Sequence, residues 1–199
     1  MNAVERCAAL VLLLALAPFL VFIGILIRVL SGQSPLVSHL RVGRNWVPFR
    51  MLKFRTMWNS VPGRGNHGGL VELVVAEPGA GLKRSDDPRV NGYAARFLRK
   101  YSIDELPQLA HVLSGRMSLV GPRPLTKGEL LAQYGPEASE TLKLAPGITG
   151  LWQVMGRSRL AYRQRRRLDL FYVRHRSVRM YLWVLARTIP RVLTGRDSW

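Results

Sequence analysis

Ala8-Ala-Leu-Val-Leu-Leu-Leu-Ala-Leu-Ala-Pro-Phe-Leu-Val-Phe-Ile-Gly-Ile-Leu-Ile27 is a run of 20 residues without a charge, and Pro18 lies close to its midpoint. As an α-helix such a run measures about 30 Å, the thickness of a bilayer's hydrocarbon core. Proline removes one helical hydrogen bond and bends the helix. Broken there, each arm reaches about 15 Å, the depth of one leaflet. Arg6 precedes the run; Arg28, Arg41, Arg44, Arg50, Lys53 and Arg55 follow it. Basic residues on both flanks give a spanning helix conflicting orientation signals. The favoured reading is therefore a re-entrant hairpin broken at Pro18, with both ends on one face. A Pro-kinked spanning helix is the rival. A secretory signal is weaker, because the run is long and no small-x-small cleavage site follows.

Working outward, 199 residues allow one soluble domain with a small appendage. The division expected is a membrane hairpin over 1–31 and a catalytic domain over 32–199. Thirty basic residues against 12 acidic ones give a formal charge of +18, which calls for an anionic partner: nucleic acid, an anionic membrane surface or phosphorylated substrates. A single cysteine, Cys7, excludes an intramolecular disulfide framework.

Residues 34–57 read as β structure, two strands flanking the turn signal Gly43-Arg-Asn-Trp46. The glycine-rich stretch from Asn59 to Lys83 reads as a mobile loop, with a minor hairpin at its apolar patch Leu70 to Ala76. Ser85-Asp-Asp-Pro-Arg89 reads as a turn before a helix over Ala94 to Arg99. A helix between Gly128 and Leu144 is interrupted at Gly135-Pro136. From Gly156 to Thr194 the only carboxylate among many arginines is Asp169. There Val178, Leu182, Leu185, Ile189 and Val192 recur at helical spacing with Trp183 nearby, the pattern of an interfacial amphipathic helix; an ordinary core-facing helix is the alternative.

Two adjacent carboxylates, Asp104 and Glu105, stand among Arg96, Arg99, Lys100, Arg116 and Arg123. Such a pair is stable where cations or a metal neutralise it, an arrangement suited to phosphate chemistry. The alternative is local: Ser102-Ile-Asp-Glu105 also fits a capping box, and acidic residues in a first turn complement the helix dipole.

In this order along the chain stand the Pro18-broken apolar run, Gly43, Lys53-Phe-Arg-Thr-Met57, Asp87-Pro-Arg89, Ser102-Ile-Asp-Glu-Leu-Pro-Gln-Leu109, Met117-Ser-Leu-Val-Gly-Pro-Arg-Pro124, Pro146-Gly-Ile-Thr-Gly-Leu-Trp-Gln153, Gly156-Arg157 and Arg167-Leu-Asp-Leu-Phe-Tyr-Val173. In that order they resemble the monotopic phosphoglycosyl transferases, bacterial sugar transferases that load a sugar phosphate onto a polyprenyl phosphate. The resemblance covers nearly the whole chain and corresponds to a minimal catalytic form, without the extra spanning helices some relatives carry. It implies an α+β fold, mainly helical with a small β-hairpin, a re-entrant membrane helix and interfacial helices. It implies that Asp104 attacks the β-phosphorus of a UDP-sugar and that undecaprenyl phosphate then collects the phosphosugar. Mg²⁺ at Asp104 and Glu105 is the implied cofactor. Lys53, Arg99 and Arg123 are implied to meet substrate phosphates, and Arg157, Asp169 and Gln153 the nucleotide-sugar. The implied location is the bacterial inner membrane, monotopic, with the site on the cytoplasmic face, at the first membrane step of exopolysaccharide, lipopolysaccharide or other glycoconjugate synthesis. Oligomeric state and the transferred sugar are left open.

The physics agrees with these roles. A carboxylate is a competent nucleophile, and covalent catalysis divides one displacement into two. Phosphoryl transfer depends on positioning and charge neutralisation. Asp169 has a bland reading too, a helix ion pair with Arg165 or Arg166. Three residues depart from the family pattern: Ala17 for serine, His39 for glutamine and Arg116 for aspartate. A non-enzymatic rival, a membrane-tethered binder of nucleic acid or anionic lipid, needs aromatics interleaved with its arginines. Between Arg157 and Arg167 there is only Tyr162, so no nucleic-acid partner is expected. A polytopic transferase acting by direct attack needs more than one apolar segment.

Overall fold

The computed structural model describes residues 2–58, 71–74, 92–156 and 159–195. The apolar run forms one helix, α1 (Asn2–Ser31), which continues through Pro18 without ending there. The expected break is therefore no interruption of the helix: a proline forfeits one hydrogen bond, and the neighbouring turns carry the helix on. One face of α1 lies on the rest of the protein along its whole length. Ala9, with Leu13 and Leu16 beside it, packs against Phe49, Met51, Leu109, Val112 and Met117. Ile23 and Ile27, with Leu20 and Leu26, pack against Phe54 and Leu98. The spacing Glu5, Ala9, Leu13, Leu16, Leu20, Ile23, Ile27 is the stripe a 3.6-residue period requires. Val11, Leu14, Val21, Phe22, Ile25 and Val29 cover the outer face, fully solvent-facing. An apolar surface of that size marks contact with lipid or protein.

Strands β1 (Leu36–Val42) and β2 (Pro48–Phe54) form the expected antiparallel hairpin. Its turn places Asn45 and Trp46 at positive φ. Beyond the expectation, β3 (Val71–Val74) joins the other edge of β1 in parallel, where a minor hairpin was expected. The remainder of the glycine-rich stretch, with Asp87-Pro-Arg89, lies outside the described residues. The expected helix is α2 (Tyr93–Lys100).

A 3₁₀ helix (Ile103–Gln108) carries the acidic pair and runs straight into α3 (Leu109–Leu113). Then β4 (Ser118–Val120) pairs in parallel with β5 (Gly147–Thr149). Between them lie α4 (Lys127–Tyr134), a 3₁₀ turn at Gly135–Glu137 where the break was expected, and α5 (Ala138–Thr141). A capping box starts α4: Thr126 Oγ1 accepts the Glu129 N–H, and Glu129 Oε2 accepts the Thr126 N–H at 2.8 Å. The chain closes with α6 (Leu151–Met155), α7 (Tyr162–His175) and α8 (Val178–Thr194).

Helix α8 buries only Tyr181 and Val184 fully, while Val178, Leu182, Ile189 and Leu193 stay exposed. Of the expected stripe, Val178, Leu182 and Ile189 are exposed, Val192 is half-buried and Leu185 packs on the core, so the helix turns part of its apolar face inward and part outward, with Arg187 over Trp183 at 5.3 Å. The fold is α+β, mainly helical, with one long apolar N-terminal helix.

Candidate active site

Strand β2 and the 3₁₀ helix bring Lys53, Asp104 and Glu105 together. Ser102, at the entrance to that helix, has φ 55° and ψ 23°, a conformation non-glycine residues rarely adopt, and it makes no side-chain cap. The capping-box reading of Ser102 and Glu105 is thus not realised. Glu105 turns its carboxylate to Lys53 instead, Nζ donating to Oε1 at 2.6 Å, and Asp104 Oδ2 lies 4.0 Å from the same ammonium. The side chains of Asp104, Lys53 and Glu105 are only 9, 13 and 15 % exposed. One cation shared between two adjacent carboxylates offsets their repulsion.

That arrangement also tests the fit of a metal. Among the described residues no group of three or more His, Cys, Asp or Glu side chains converges. Two carboxylates reaching a single cation are what Mg²⁺ takes from a protein when substrate phosphates and water supply the other ligands. The pair fits Mg²⁺: Asp104 and Glu105 would hold the ion, which would supply positive charge to the substrate phosphates.

Arg99 sits near the end of α2, just before the acidic pair, and its Nη1 is buried with no hydrogen-bond partner. A buried guanidinium nitrogen in that state is suited to an incoming oxyanion. Arg55, by contrast, is buried with Nε donating to the Ser34 carbonyl at 2.8 Å. His111 ties the dyad's helix to the sheet: Nε2 accepts the Leu52 N–H at 3.0 Å, and its ring meets Phe49 edge-on.

A second cluster forms where two motifs meet. The Gly121 N–H donates to Thr149 and the Gly147 N–H to Pro122, at 2.9 and 2.8 Å. A Cβ on Gly147 would collide with the Gly121 amide nitrogen, so this close backbone approach requires glycine. The clamp fixes Arg123, whose guanidinium lies 5.8 Å from the centre of the Trp152 ring; Arg165 lies 4.9 Å from the same ring.

Asp169 is 1 % exposed, and its Oδ2 accepts the Tyr134 hydroxyl at 2.6 Å. Burial pushes its carboxyl up to about 7, against the opposing pull of the Tyr134 hydroxyl, the Arg123 main chain and charge, and the Trp152 side chain. Neither expected ion pair is made. Arg165 Nε donates to the Leu160 carbonyl, and Arg166 pairs with Glu137 at 3.4 Å. Asp169 thus faces the underside of Arg123 and Trp152 and touches no open surface. Gln153 donates Nε2 to the Ile148 carbonyl at 3.2 Å and keeps a buried, unpartnered Oε1. Arg157 lies outside the described residues.

The two clusters are joined along one face of the sheet. Val37, His39 and Arg41 alternate on β1, and Phe49, Met51 and Lys53 lie opposite them on β2. Burial pushes His39 down to about 4, and the charges of Arg41 and Lys53 add to this. Arg41 Nη1 is 3.4 Å from Glu129 Oε2. Sequence reading named Arg41 only as a flanking charge and Arg165 only as an ion-pair partner of Asp169, and did not name Tyr134; strand alternation from Lys53 was the signal available for Arg41. Arg116 is exposed, and its charge acts on His111.

Comparison with known proteins then decides the family. The model for bacterial sugar transferases matches residues 1–195. The chain belongs to the bacterial sugar transferases. It is 38 % identical to an exopolysaccharide production protein, ExoY, of Sinorhizobium fredii over 96 % of this chain and 84 % of that one. It is 39 % identical to a UDP-galactose-lipid carrier transferase of Erwinia amylovora, over 95 % of this chain and 39 % of the relative. It is 36 % identical to an undecaprenyl-phosphate galactose phosphotransferase of Salmonella typhimurium, over 96 % and 40 %. A bacterial sugar transferase is an enzyme of sugar-phosphate transfer.

Proposed function

We propose that the protein transfers a sugar 1-phosphate from a UDP-sugar to undecaprenyl phosphate through a phosphosugar carried on Asp104. The observation that carries this reading is the buried acidic pair clasped by Lys53, with the unpartnered Arg99 nitrogen beside it in sequence. An Asp104 oxygen attacks the β-phosphorus; the bond to the bridging oxygen breaks, and UMP leaves with that oxygen. An oxygen of the carrier phosphate then attacks the same phosphorus, and the Asp104 carboxylate departs, giving polyprenyl-diphosphate-sugar. Lys53, Arg99 and Arg123 hold the phosphate oxygens. Mg²⁺, held by Asp104 and Glu105, would neutralise charge on the transferring phosphoryl group.

The membrane reading is that both ends of α1 lie at the cytoplasmic face. Glu5, near its start, accepts hydrogen bonds from Ser118 and Tyr181, both at 2.6 Å. Ile27, near its end, is fully buried on Phe54 and Leu98. A 30-residue helix standing straight across a bilayer would carry one end some 30 Å from the body held by the other. Contact at both ends supports a helix that lies along the body, with its two ends on one side of the membrane.

The test is covalent capture. Incubated with UDP-sugars labelled in the sugar and with Mg²⁺, the wild-type protein should retain label after denaturation and release UMP. Asp104→Asn should retain none. UMP release at the wild-type rate by Asp104→Asn would end the proposal. The native Cys7, exposed near the start of α1, should react with an impermeant maleimide only from the cytoplasmic side.

A further inference from the structure

We propose that Arg41 and Arg165, gathered beside Arg123, form the subsite for the phosphate of the nucleoside monophosphate half of the donor. This rests on the transfer reaction proposed above and extends it to residues on β1 and α7 that lie away from the acidic pair.

Three guanidinium groups converge here. Arg123 and Arg165 share the Trp152 ring, and Arg165 also lies 5.1 Å from the centre of the Tyr162 ring. Arg41 reaches in from the sheet face that carries Lys53, and its Nε is buried with no hydrogen-bond partner. The Val42 N–H donates to the Leu125 carbonyl at 2.9 Å, holding the strand of Arg41 beside the segment that carries Arg123; burial lowers the pKa of Arg41 and of Arg165, and the Arg123 charge adds to this. Against them stand Glu129, on Arg41, and the buried Asp169, whose burial weakens its ionisation. Among the described residues named here, positive charge exceeds negative charge. A phosphate ester has the charge and the planar pairs of oxygens that guanidinium groups bind.

The position favours a soluble ligand over the lipid carrier. Helix α1 packs on α3 and β4, whereas Arg165 sits on α7, which packs with α4, α5 and α6. The row Lys53, His39, Arg41 runs from the acidic pair toward this cluster, the direction in which a leaving nucleotide would extend from the β-phosphorus. Trp152, buried beneath Arg123 and Arg165, orients the two cations.

Titration calorimetry with UMP, uridine and inorganic phosphate on the full-length protein in detergent tests this. Arg41→Ala and Arg165→Ala should each weaken UMP binding about tenfold or more, the loss of a charge-assisted contact. Lysine at either position should recover part of it. Arg41 also braces Glu129, so Glu129→Gln separates the roles: it removes that ion pair and should leave UMP binding unchanged or tighter. Wild-type affinity for UMP in both alanine variants would overturn the assignment. So would an equal loss of uridine binding, which would move the contact to the base, or weakening by Glu129→Gln as large as by Arg41→Ala. A failure of the transfer reaction itself shows separately, as absence of label on wild-type Asp104.

Discussion

Replacing Lys53 with methionine should convert a stable acidic site into a magnesium-dependent one. The substitution keeps the stem's packing and removes the ammonium that lies 2.6 Å from Glu105 and 4.0 Å from Asp104. Two adjacent carboxylates, 9 and 15 % exposed, then lose the ammonium they share. Breaking one partner out of a buried ion pair costs about 3–5 kcal/mol. For a chain of this length each kcal/mol moves the midpoint by about 2–4 °C, so Lys53→Met should melt about 10 °C lower without metal. Mg²⁺ should bind the variant more tightly, since it no longer competes with an ammonium. At a hundred times its dissociation constant it would return about 2.7 kcal/mol, most of the loss. Thermal denaturation in detergent, with and without Mg²⁺, reads both effects without any substrate. An unchanged midpoint, or equal protection of wild type and variant by Mg²⁺, would refute the view that the Lys53 ammonium and Mg²⁺ serve the same two carboxylates.

Two ionisable groups should pull stability in opposite directions with pH. His39, depressed to about 4 from 6.5, contributes stability present above 6.5 and lost as pH falls toward 4, at most about 3 kcal/mol; His39→Gln should remove that acid loss in urea titrations. Asp169, raised to about 7 from 3.8, contributes stability present below 3.8 and lost as pH rises through 7, so Asp169→Asn should flatten the curve on the neutral side. Tyr134→Phe leaves the buried Asp169 Oδ2 without its 2.6 Å donor and should cost about 1–3 kcal/mol by chemical denaturation. Glu5→Ala strips the shared acceptor from Ser118 and Tyr181 and should cost a similar amount, with Glu5→Gln milder because an acceptor remains.

Much of the fold is legible where local chemistry decides it. Gly43 to Trp46 marks the hairpin turn and Gly135-Pro136 the break after α4, whereas the apolar run reads as broken at Pro18 and folds as one helix. What stays hidden has physical reasons. A run apolar on every side carries no periodicity, so the stripe from Glu5 to Ile27 that faces the protein cannot be told from the stripe that faces outward. Three-residue strands such as β4 and β5 are too short to alternate, so their pairing shows only in the structure. The acidic pair drew attention because charge beside charge needs an explanation, whereas the role of Lys53 entered only through the family resemblance. The local ion pair read for Asp169 is not made because a sequence does not show burial, and burial turned it inward to Tyr134.

Each support of the acidic pair is one step from the membrane helix. Lys53 precedes Phe54 on β2 and Arg99 follows Leu98 on α2, and both Phe54 and Leu98 pack on Ile23 and Ile27. The 3₁₀ helix bearing Asp104 and Glu105 continues into α3, whose Leu109 and Val112 pack on Ala9. Helix α1 is thus a wall of the core beneath the site and no detachable anchor. A displacement of α1 must be felt at the ammonium, the guanidinium and the carboxylates together, because close-packed interiors transmit strain. On the proposed reaction the second substrate is a phosphate whose tail stays in the bilayer. Its phosphorus-seeking oxygen then has a fixed depth, and the nucleophile must be held at that depth to angstrom tolerance. Packing the apolar helix on Phe54, Leu98 and Leu109, next to Lys53, Arg99 and the acidic pair's helix, achieves this without a linker.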